Sequence, residues 1–215
     1  MTALRLYADS ADTEQVERLL RFHLVRGVTT NPTILMKSNR VISELPGLYA
    51  RWAELEAEEI FFQVWGSSRD DLIARGHEIA AFGDRVVVKV PATKEGFEAA
   101  GTLIAEGVPI LMTAVYGVPQ ALAAGAIGAR YIAPYLGRLE DAGRDGLAII
   151  GEMRQVLEGS ETEVLAASLR SPDAIVKLAK RGIRYFTASP AVIMASAQNG
   201  QSDAAALAFE ADISE

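Results

Sequence analysis

The six residues Val86-Val87-Val88-Lys89-Val90-Pro91 place a lysine in the middle of an apolar run. Such a run is typical of a strand that is buried on both faces in a parallel sheet. Burial favours the uncharged amine, and a Schiff-base nucleophile must be uncharged at neutral pH. The alternative is a structural lysine whose ammonium reaches solvent or pairs with a carboxylate. Other residues along the chain favour the first interpretation.

Short apolar runs alternate with amphipathic, helix-like stretches along the 215 residues. The apolar runs predict eight strands, at residues 4–9, 27–30, 60–64, 85–90, 109–113, 129–134, 163–167 and 183–187. Helix-like stretches lie between them, such as residues 12–22, 68–82, 93–106, 146–157 and 171–181. Several of these begin at a capping residue, as at Asp12, Ser68 and Thr93, or carry a proline at the first helical position, as Pro172 does.

Eight strand–helix units of about 20–30 residues each are the repeat of a (β/α)8 TIM barrel. We therefore predict an α/β fold with a single barrel domain over residues 1–215 and a short C-terminal helix at about residues 203–210. The alternative is an open, doubly wound sheet. It is disfavoured because no glycine-rich nucleotide loop follows the first strand.

The composition is that of an ordinary soluble chain, with 50% hydrophobic and 23% charged residues. A net charge of −7 with no basic run argues against a nucleic-acid partner. The chain has no cysteine, and His23 and His77 belong to no ligand-spaced motif, so we expect no protein-bound transition metal. No apolar stretch has the length of a membrane span or the form of a signal peptide, so we expect a cytoplasmic protein without a membrane partner.

Polar residues stand at, or just beyond, the C-terminal ends of successive predicted strands. They are Asp9, Thr29, Asn31, Gln63, Lys89, Thr113, Tyr135, Ser168 and Ser189. In a barrel these ends meet at one mouth, where active sites are built. Amine, acid, amide and hydroxyl groups together are the set that imine chemistry needs.

Several of these residues also have a structural interpretation. Asp9 could pair with Lys89 or cap the following turn, and residues 29–32 could form only a strand-to-helix turn. The hydroxyl of Tyr135 could be satisfied by backbone within the core. Arg138 and Arg170, with Ser168, follow strands six and seven, near where many barrels bind phosphate, although either arginine could be a surface charge.

Three segments carry motifs of a known family: Gly27-Val28-Thr29-Thr30-Asn31-Pro32-Thr33, Val87-Val88-Lys89-Val90-Pro91 and Ala133-Pro134-Tyr135-Leu136-Gly137-Arg138. Together they resemble the transaldolase family, and most closely its small subgroup, the fructose-6-phosphate aldolases. The resemblance runs from Tyr7 to about Glu210. It implies a (β/α)8 barrel and a class I aldolase or dihydroxyacetone transferase that acts on sugar phosphates without a metal or organic cofactor.

The resemblance also implies a role for each residue that matches a family motif. Lys89 matches the Schiff-base lysine, and Asp9 matches the acid–base carboxylate. Thr29 and Asn31 match the donor-sugar contacts, and Gln63 and Thr113 match the residues that position the catalytic water. Arg138 and Ser168 match the phosphate site. Arg170 stands where the family often has a basic residue.

Gln63, Ala133 and Tyr135 resemble the aldolase subgroup, since transaldolases tend to carry Glu, Ser and Phe at these positions. A tyrosine hydroxyl near the catalytic water could help to protonate the enamine and release free dihydroxyacetone. We therefore expect an aldolase that cleaves a ketose phosphate such as fructose 6-phosphate. The alternatives are a transaldolase, an enzyme for a sulfonated-sugar analogue and, from another class, a non-catalytic sugar-phosphate binding protein.

The resemblance fails at the C-terminus. The small aldolases usually extend further beyond their last helix, and that tail packs on a neighbouring subunit, whereas this chain has only residues 211–215 after the predicted helix. We expect a homo-oligomer, and the short tail argues against one that is held together by tail exchange.

Overall fold

The computed structural model describes residues 4–213. Within this range eight parallel strands close into a barrel: β1 Arg5–Asp9, β2 Gly27–Thr29, β3 Glu59–Gln63, β4 Val86–Pro91, β5 Ile110–Val115, β6 Tyr131–Pro134, β7 Glu163–Leu169 and β8 Tyr185–Ala188. Each strand pairs with the next, and β8 pairs with β1 from Tyr185 with Arg5 to Ala188 with Ala8. This last pairing excludes the open sheet, so the predicted (β/α)8 barrel is confirmed.

Helices surround the barrel and connect its strands. They are α1 Thr13–Arg21, α2 Pro32–Lys37, α3 Leu45–Glu54, α4 Arg69–Ala80, α5 Lys94–Ala105, α6 Val118–Ala126, α7 Leu136–Asp141, α8 Gly146–Val156, α9 Pro172–Ala179, α10 Pro190–Ser196 and α11 Gly200–Ile213. A 3-10 turn, Ile42–Glu44, precedes α3.

The predicted helix starts are confirmed by side-chain caps. Asp12, Ser68, Thr93 and Ser171 each accept a hydrogen bond from the backbone N–H three residues later. Pro172 occupies the first position of α9, where its missing N–H would have no helical partner. These caps fix where each helix leaves the mouth of the barrel.

Strand β4 shows how the pleat divides the sequence between two environments. Val86, Val88 and Val90 pack in the layer between the sheet and the helices, whereas Val87 packs inside the barrel. Successive side chains of a strand point to opposite faces, so Lys89 lies on the interior face with Val87. The alternation therefore turns a continuous apolar run into one wall of the barrel and one amine inside it.

The N-terminal end of the barrel is filled by a hydrogen-bonded carboxylate. Glu59, at the start of β3, is buried and accepts hydrogen bonds from Tyr7 Oη at 2.5 Å and Tyr131 Oη at 3.0 Å. Arg130 also pairs with Glu59, at 2.7 Å. Burying a charge is tolerated when it is paired and hydrogen-bonded, as it is here. The open end of the barrel is therefore the C-terminal one.

The C-terminal helix is longer than expected. The sequence predicted residues 203–210, whereas α11 runs from Gly200 to Ile213. Its earlier start is explained by Asn199 Oδ1, which accepts hydrogen bonds from the N–H groups of Gln201 and Ser202. Every residue of α11 is exposed, including Leu207 and Phe209. In the part of the chain described, no helix combines the length and apolar character needed to cross a membrane.

Candidate active site

Lys89 lies at the C-terminal end of the barrel interior and is only 4% exposed. Its Nζ donates a hydrogen bond to the carbonyl oxygen of Thr30 at 2.7 Å. Burial lowers the pKa of Lys89, although the nearby carboxylate of Asp9 opposes the shift. The side chain therefore does not extend into solvent, and its environment favours the uncharged amine.

Asp9 ends β1 and is held by Thr29, whose hydroxyl also contacts Thr187. Its Oδ1 accepts a hydrogen bond from Thr29 Oγ1 at 2.6 Å, and Thr29 Oγ1 lies 2.6 Å from Thr187 Oγ1. Burial raises the pKa of Asp9, while Lys89 and Thr29 oppose the shift. Asp9 and Lys89 each make the other's ionised form more favourable, but burial outweighs this effect in both.

Tyr135 follows β6 directly, and its hydroxyl lies 2.8 Å from Thr113 Oγ1 on β5. Burial raises the pKa of the Tyr135 phenol, and Asp9 adds to this shift, while the hydrogen bond with Thr113 opposes it. Tyr135 is therefore protonated at neutral pH. Gln63, in register with Lys89 on the neighbouring strand, completes this group.

These residues line two adjoining cavities at the mouth of the barrel. Lys89 and Asp9 line a cavity of about 230 Å³, together with Leu111, Ala133, Leu165, Ala167, Ser168 and Thr187. A second cavity of about 300 Å³ contains Gln63 and Thr113. Tyr135, Arg138 and Asn31 line both cavities, so the phenol lies between the amine on one side and the amide on the other.

Asn31 has a structural role as well as a position at the site. Its Oδ1 accepts a hydrogen bond from Ile34 N–H at 3.0 Å and so caps α2. Asn31 thus has the capping role expected at a strand-to-helix turn, and it also lines both cavities. The cap uses only the amide oxygen, which leaves the Nδ2 donor outside this hydrogen bond.

Arg138 reaches the mouth from α7. Its guanidinium stands 4.9 Å from the centroid of the Tyr135 ring and donates to Tyr116 Oη at 3.3 Å. Ser168 faces the same cavity from β7, where its φ of 57° and a shift in the β7–β8 register mark a bulge. A similar bulge at Ala114 follows Thr113 on β5. Bulges at barrel rims change the direction of side chains, which explains why Ser168 and Ala114 face the cavities.

Arg170 is not brought into either cavity. It forms a bidentate ion pair with Asp141, at 2.7 and 2.5 Å, and lines a separate cavity of about 110 Å³ on the outer side of Ser168. Ser189 is also occupied elsewhere, since its hydroxyl caps α10. The other sequence-predicted site residues all line one of the two cavities or contact a residue that does.

Three polar or charged residues that line the first cavity were not selected as site residues from the sequence. Thr187 contacts Thr29 and lines the first cavity; its signal was a single hydroxyl at the end of the apolar strand β8. Thr33 lines both cavities from α2 and ends the motif of residues 27–33, but it was given no role there. Lys37, at the end of α2, lines the first cavity and has no local signal of function. Within residues 4–213, no three acidic or histidine side chains are grouped as a metal site would require.

Solved structures with the same architecture support the description of the fold. Thiamine phosphate pyrophosphorylase from Pyrococcus furiosus superposes with a TM-score of 0.63 at 21% identity, over 88% of this chain and 87% of that one. The 4-hydroxy-tetrahydrodipicolinate synthase from Methylacidiphilum fumariolicum gives 0.63 at 15% identity, over 88% and 68%. At such identities the likeness concerns the barrel fold alone.

Sequence relatives carry more specific information. A probable transaldolase of Cereibacter sphaeroides is 37% identical over 211 residues, which cover 97% of this chain and 95% of that protein. A probable transaldolase of Dehalococcoides mccartyi is 34% identical over 212 residues, with 97% of both chains covered. A family model described as Transaldolase/Fructose-6-phosphate aldolase matches residues 6–215. The chain therefore belongs to the transaldolase/fructose-6-phosphate aldolase family and is an enzyme of that family.

Proposed function

We propose that this enzyme is a class I aldolase, which cleaves and forms a ketose phosphate such as fructose 6-phosphate through a Schiff base on Lys89. The observation that carries the proposal is the buried amine, which faces a cavity also lined by Asp9 and Tyr135. The products of cleavage are dihydroxyacetone and an aldehyde phosphate. The iminium ion accepts the electron pair of the breaking bond, so the chemistry requires no metal or organic cofactor.

The first steps form the imine. The nitrogen of Lys89 attacks C2 of the ketose, and the resulting carbinolamine loses its hydroxyl group as water. Burial lowers the pKa of Lys89 and so favours the uncharged amine, which is the form that attacks the ketone. The hydrogen bond to the Thr30 carbonyl holds one N–H in place and so helps to orient the nitrogen lone pair.

The next steps break and remake bonds at C3. Asp9 removes the proton of the C4 hydroxyl while the C3–C4 electron pair moves to the iminium, giving an enamine and a free aldehyde. Burial raises the pKa of Asp9, which makes it a stronger base than a solvated carboxylate. Asp9 then passes this proton to C3 of the enamine through a water held by Gln63, Thr113 and Tyr135. A second water hydrolyses the resulting iminium ion, which releases dihydroxyacetone and the free amine.

Binding contacts follow from the positions around the cavity. Thr29 and Asn31 contact the hydroxyl groups of the donor, and Arg138 and Ser168 hold the distal anion. Arginine binds phosphate or sulfonate through charge-assisted hydrogen bonds, so this side of the cavity would accept either anion. A cytoplasmic location and a homo-oligomeric state remain predictions from the sequence.

A transaldolase is the second candidate, and the names of the relatives favour it. In that reaction the enamine on Lys89 attacks a second aldehyde instead of accepting a proton. The two candidates share every step up to the enamine. They differ in whether free dihydroxyacetone leaves when no acceptor aldehyde is present.

Borohydride trapping tests the proposal. Wild-type enzyme with fructose 6-phosphate and borohydride should gain one donor-sized mass, located on Lys89 by peptide mass spectrometry. Lys89→Met should gain none, and Lys94→Arg, the matched control at the exposed start of α5, should be labelled normally. Sugar-phosphate binding without a label on Lys89 would instead support a non-catalytic binding protein.

A further inference from the structure

Two short segments build the side of the cavity that we assign to the anion. Arg138 lies on α7, and Ser168 lies near the end of β7. Regular β6–β7 pairing ends at Ile132 and Val164, with one isolated bridge beyond it, and the β7–β8 register shifts after Ala166. The sheet therefore gives little control over the distance between the two anion contacts.

A bidentate ion pair connects the same two segments. Arg170 stands two residues after Ser168, and Asp141 stands three residues after Arg138 on α7. The nitrogens Nη1 and Nη2 of Arg170 donate to the two carboxylate oxygens of Asp141 at 2.7 and 2.5 Å. The two side chains are 59% and 57% exposed, and pairs at such exposure contribute little to global stability. Their fork geometry, however, fixes direction as well as distance.

Gly137 brings the start of α7 into direct contact with the end of β7. A Cβ atom at this position would lie 2.8 Å from the Ser168 carbonyl oxygen and 2.8 Å from Arg170 Nε. Only a glycine allows the helix to lie this close to both. The Arg170 side chain thus passes over the backbone next to Arg138 and then reaches Asp141.

We propose that Arg170 and Asp141 are positioning residues, which hold α7 against β7 so that Arg138 and Ser168 are spaced to bind one anion. Arg170 acts through Asp141 and does not contact the substrate. This inference rests on the proposed function, which assigns Arg138 and Ser168 to the anion. It differs from the sequence expectation, in which Arg170 itself binds the phosphate.

The two roles of Arg170 predict opposite effects at Asp141. If Arg170 binds the anion, Asp141 competes with the substrate for it, and Asp141→Asn should leave binding unchanged or strengthen it. If the ion pair positions the site, Asp141→Asn should weaken binding as much as Arg170→Gln does. The double variant should then be no weaker than either single variant, because both changes remove the same interaction.

The experiment compares KM for glyceraldehyde 3-phosphate and for uncharged glyceraldehyde, with dihydroxyacetone as donor. We expect Asp141→Asn and Arg170→Gln each to raise KM for the phosphorylated aldehyde about 3- to 30-fold, which lies within the range of coupling between neighbouring residues. KM for glyceraldehyde and kcat for both aldehydes should not change. Asp173→Asn is the matched control, because it breaks the exposed Asp173–Lys177 pair beside the same outer cavity and should change nothing.

An unchanged or lower KM in Asp141→Asn, or an additive loss in the double variant, would overturn the positioning role. Arg138→Gln distinguishes this failure from a failure of the proposed function. If Arg138→Gln raises KM equally for both aldehydes, the anion site itself is wrongly assigned. If borohydride and dihydroxyacetone do not label Lys89, the proposed chemistry is wrong, whatever the role of Arg170.

Discussion

Replacing Tyr135 by phenylalanine removes one oxygen atom between the two cavities. The lost hydroxyl lies 2.8 Å from Thr113 Oγ1, and losing such a hydrogen bond costs about 1 kcal/mol of stability. For a chain of this size that corresponds to a fall in Tm of about 2–4 °C. If the hydroxyl takes part in protonating the enamine, release of free dihydroxyacetone should fall about 10²–10⁴-fold. That loss corresponds to about 3–5 kcal/mol of activation free energy, which the change in stability cannot explain.

The assay measures free dihydroxyacetone from fructose 6-phosphate, with and without an added acceptor aldehyde. Tyr135→Phe should still form the imine that borohydride traps on Lys89, and transfer to the acceptor should survive better than release. Tyr131→Phe is the control, since it removes a buried tyrosine hydroxyl at the other end of the barrel, where it contacts Glu59. Normal release by Tyr135→Phe would refute this role. Wild-type enzyme that releases no dihydroxyacetone without an acceptor would favour the transaldolase.

Three further variants test other parts of the structure. The carboxylate of Asp9 opposes the lowering of the Lys89 pKa by burial, so Asp9→Asn should lower that pKa further. Borohydride trapping with dihydroxyacetone should then persist to lower pH than in the wild type. An unchanged pH dependence would contradict the interaction between Asp9 and Lys89. Glu59→Gln should lower the free energy of unfolding by about 1–3 kcal/mol in urea titrations without changing KM. Gly137→Ala should raise KM for phosphorylated aldehydes only, because its Cβ would lie 2.8 Å from the Ser168 carbonyl; equal effects on uncharged aldehydes would refute this.

The strands and the amine were predictable because local sequence patterns determine them. An apolar run of six residues with one lysine can be recognised without knowing any long-range contact, and the caps at Asp12 and Ser68 act within three residues. The ring of polar side chains then follows from the barrel, since parallel strands end at one mouth. For these features local pattern and global fold agree, and Lys89 lies where the sequence placed it.

Features that depend on distant partners were not predictable in this way. An acidic residue at the start of a strand is normally expected at the surface, but Glu59 is buried. The tyrosines that donate hydrogen bonds to it lie 52 and 72 residues away in the sequence. Arg170 has its partner Asp141 29 residues away, so its motif position indicated an anion contact instead of an ion pair. The positive φ of Ser168, a conformation that ordinary residues rarely adopt, likewise has no local signature.

The position of Lys89 within the pleat restricts how this enzyme could change during evolution. Its sequence neighbours Val88 and Val90 pack in the layer against the helices. Inserting or deleting a single residue earlier in β4 would turn the amine into that apolar layer and a valine into the cavity. Length changes in the loops beyond the strand ends carry no such penalty. Substrate preference can therefore change through insertions at the mouth. A one-residue shift within β4, in contrast, would remove the amine of Lys89 from the cavity.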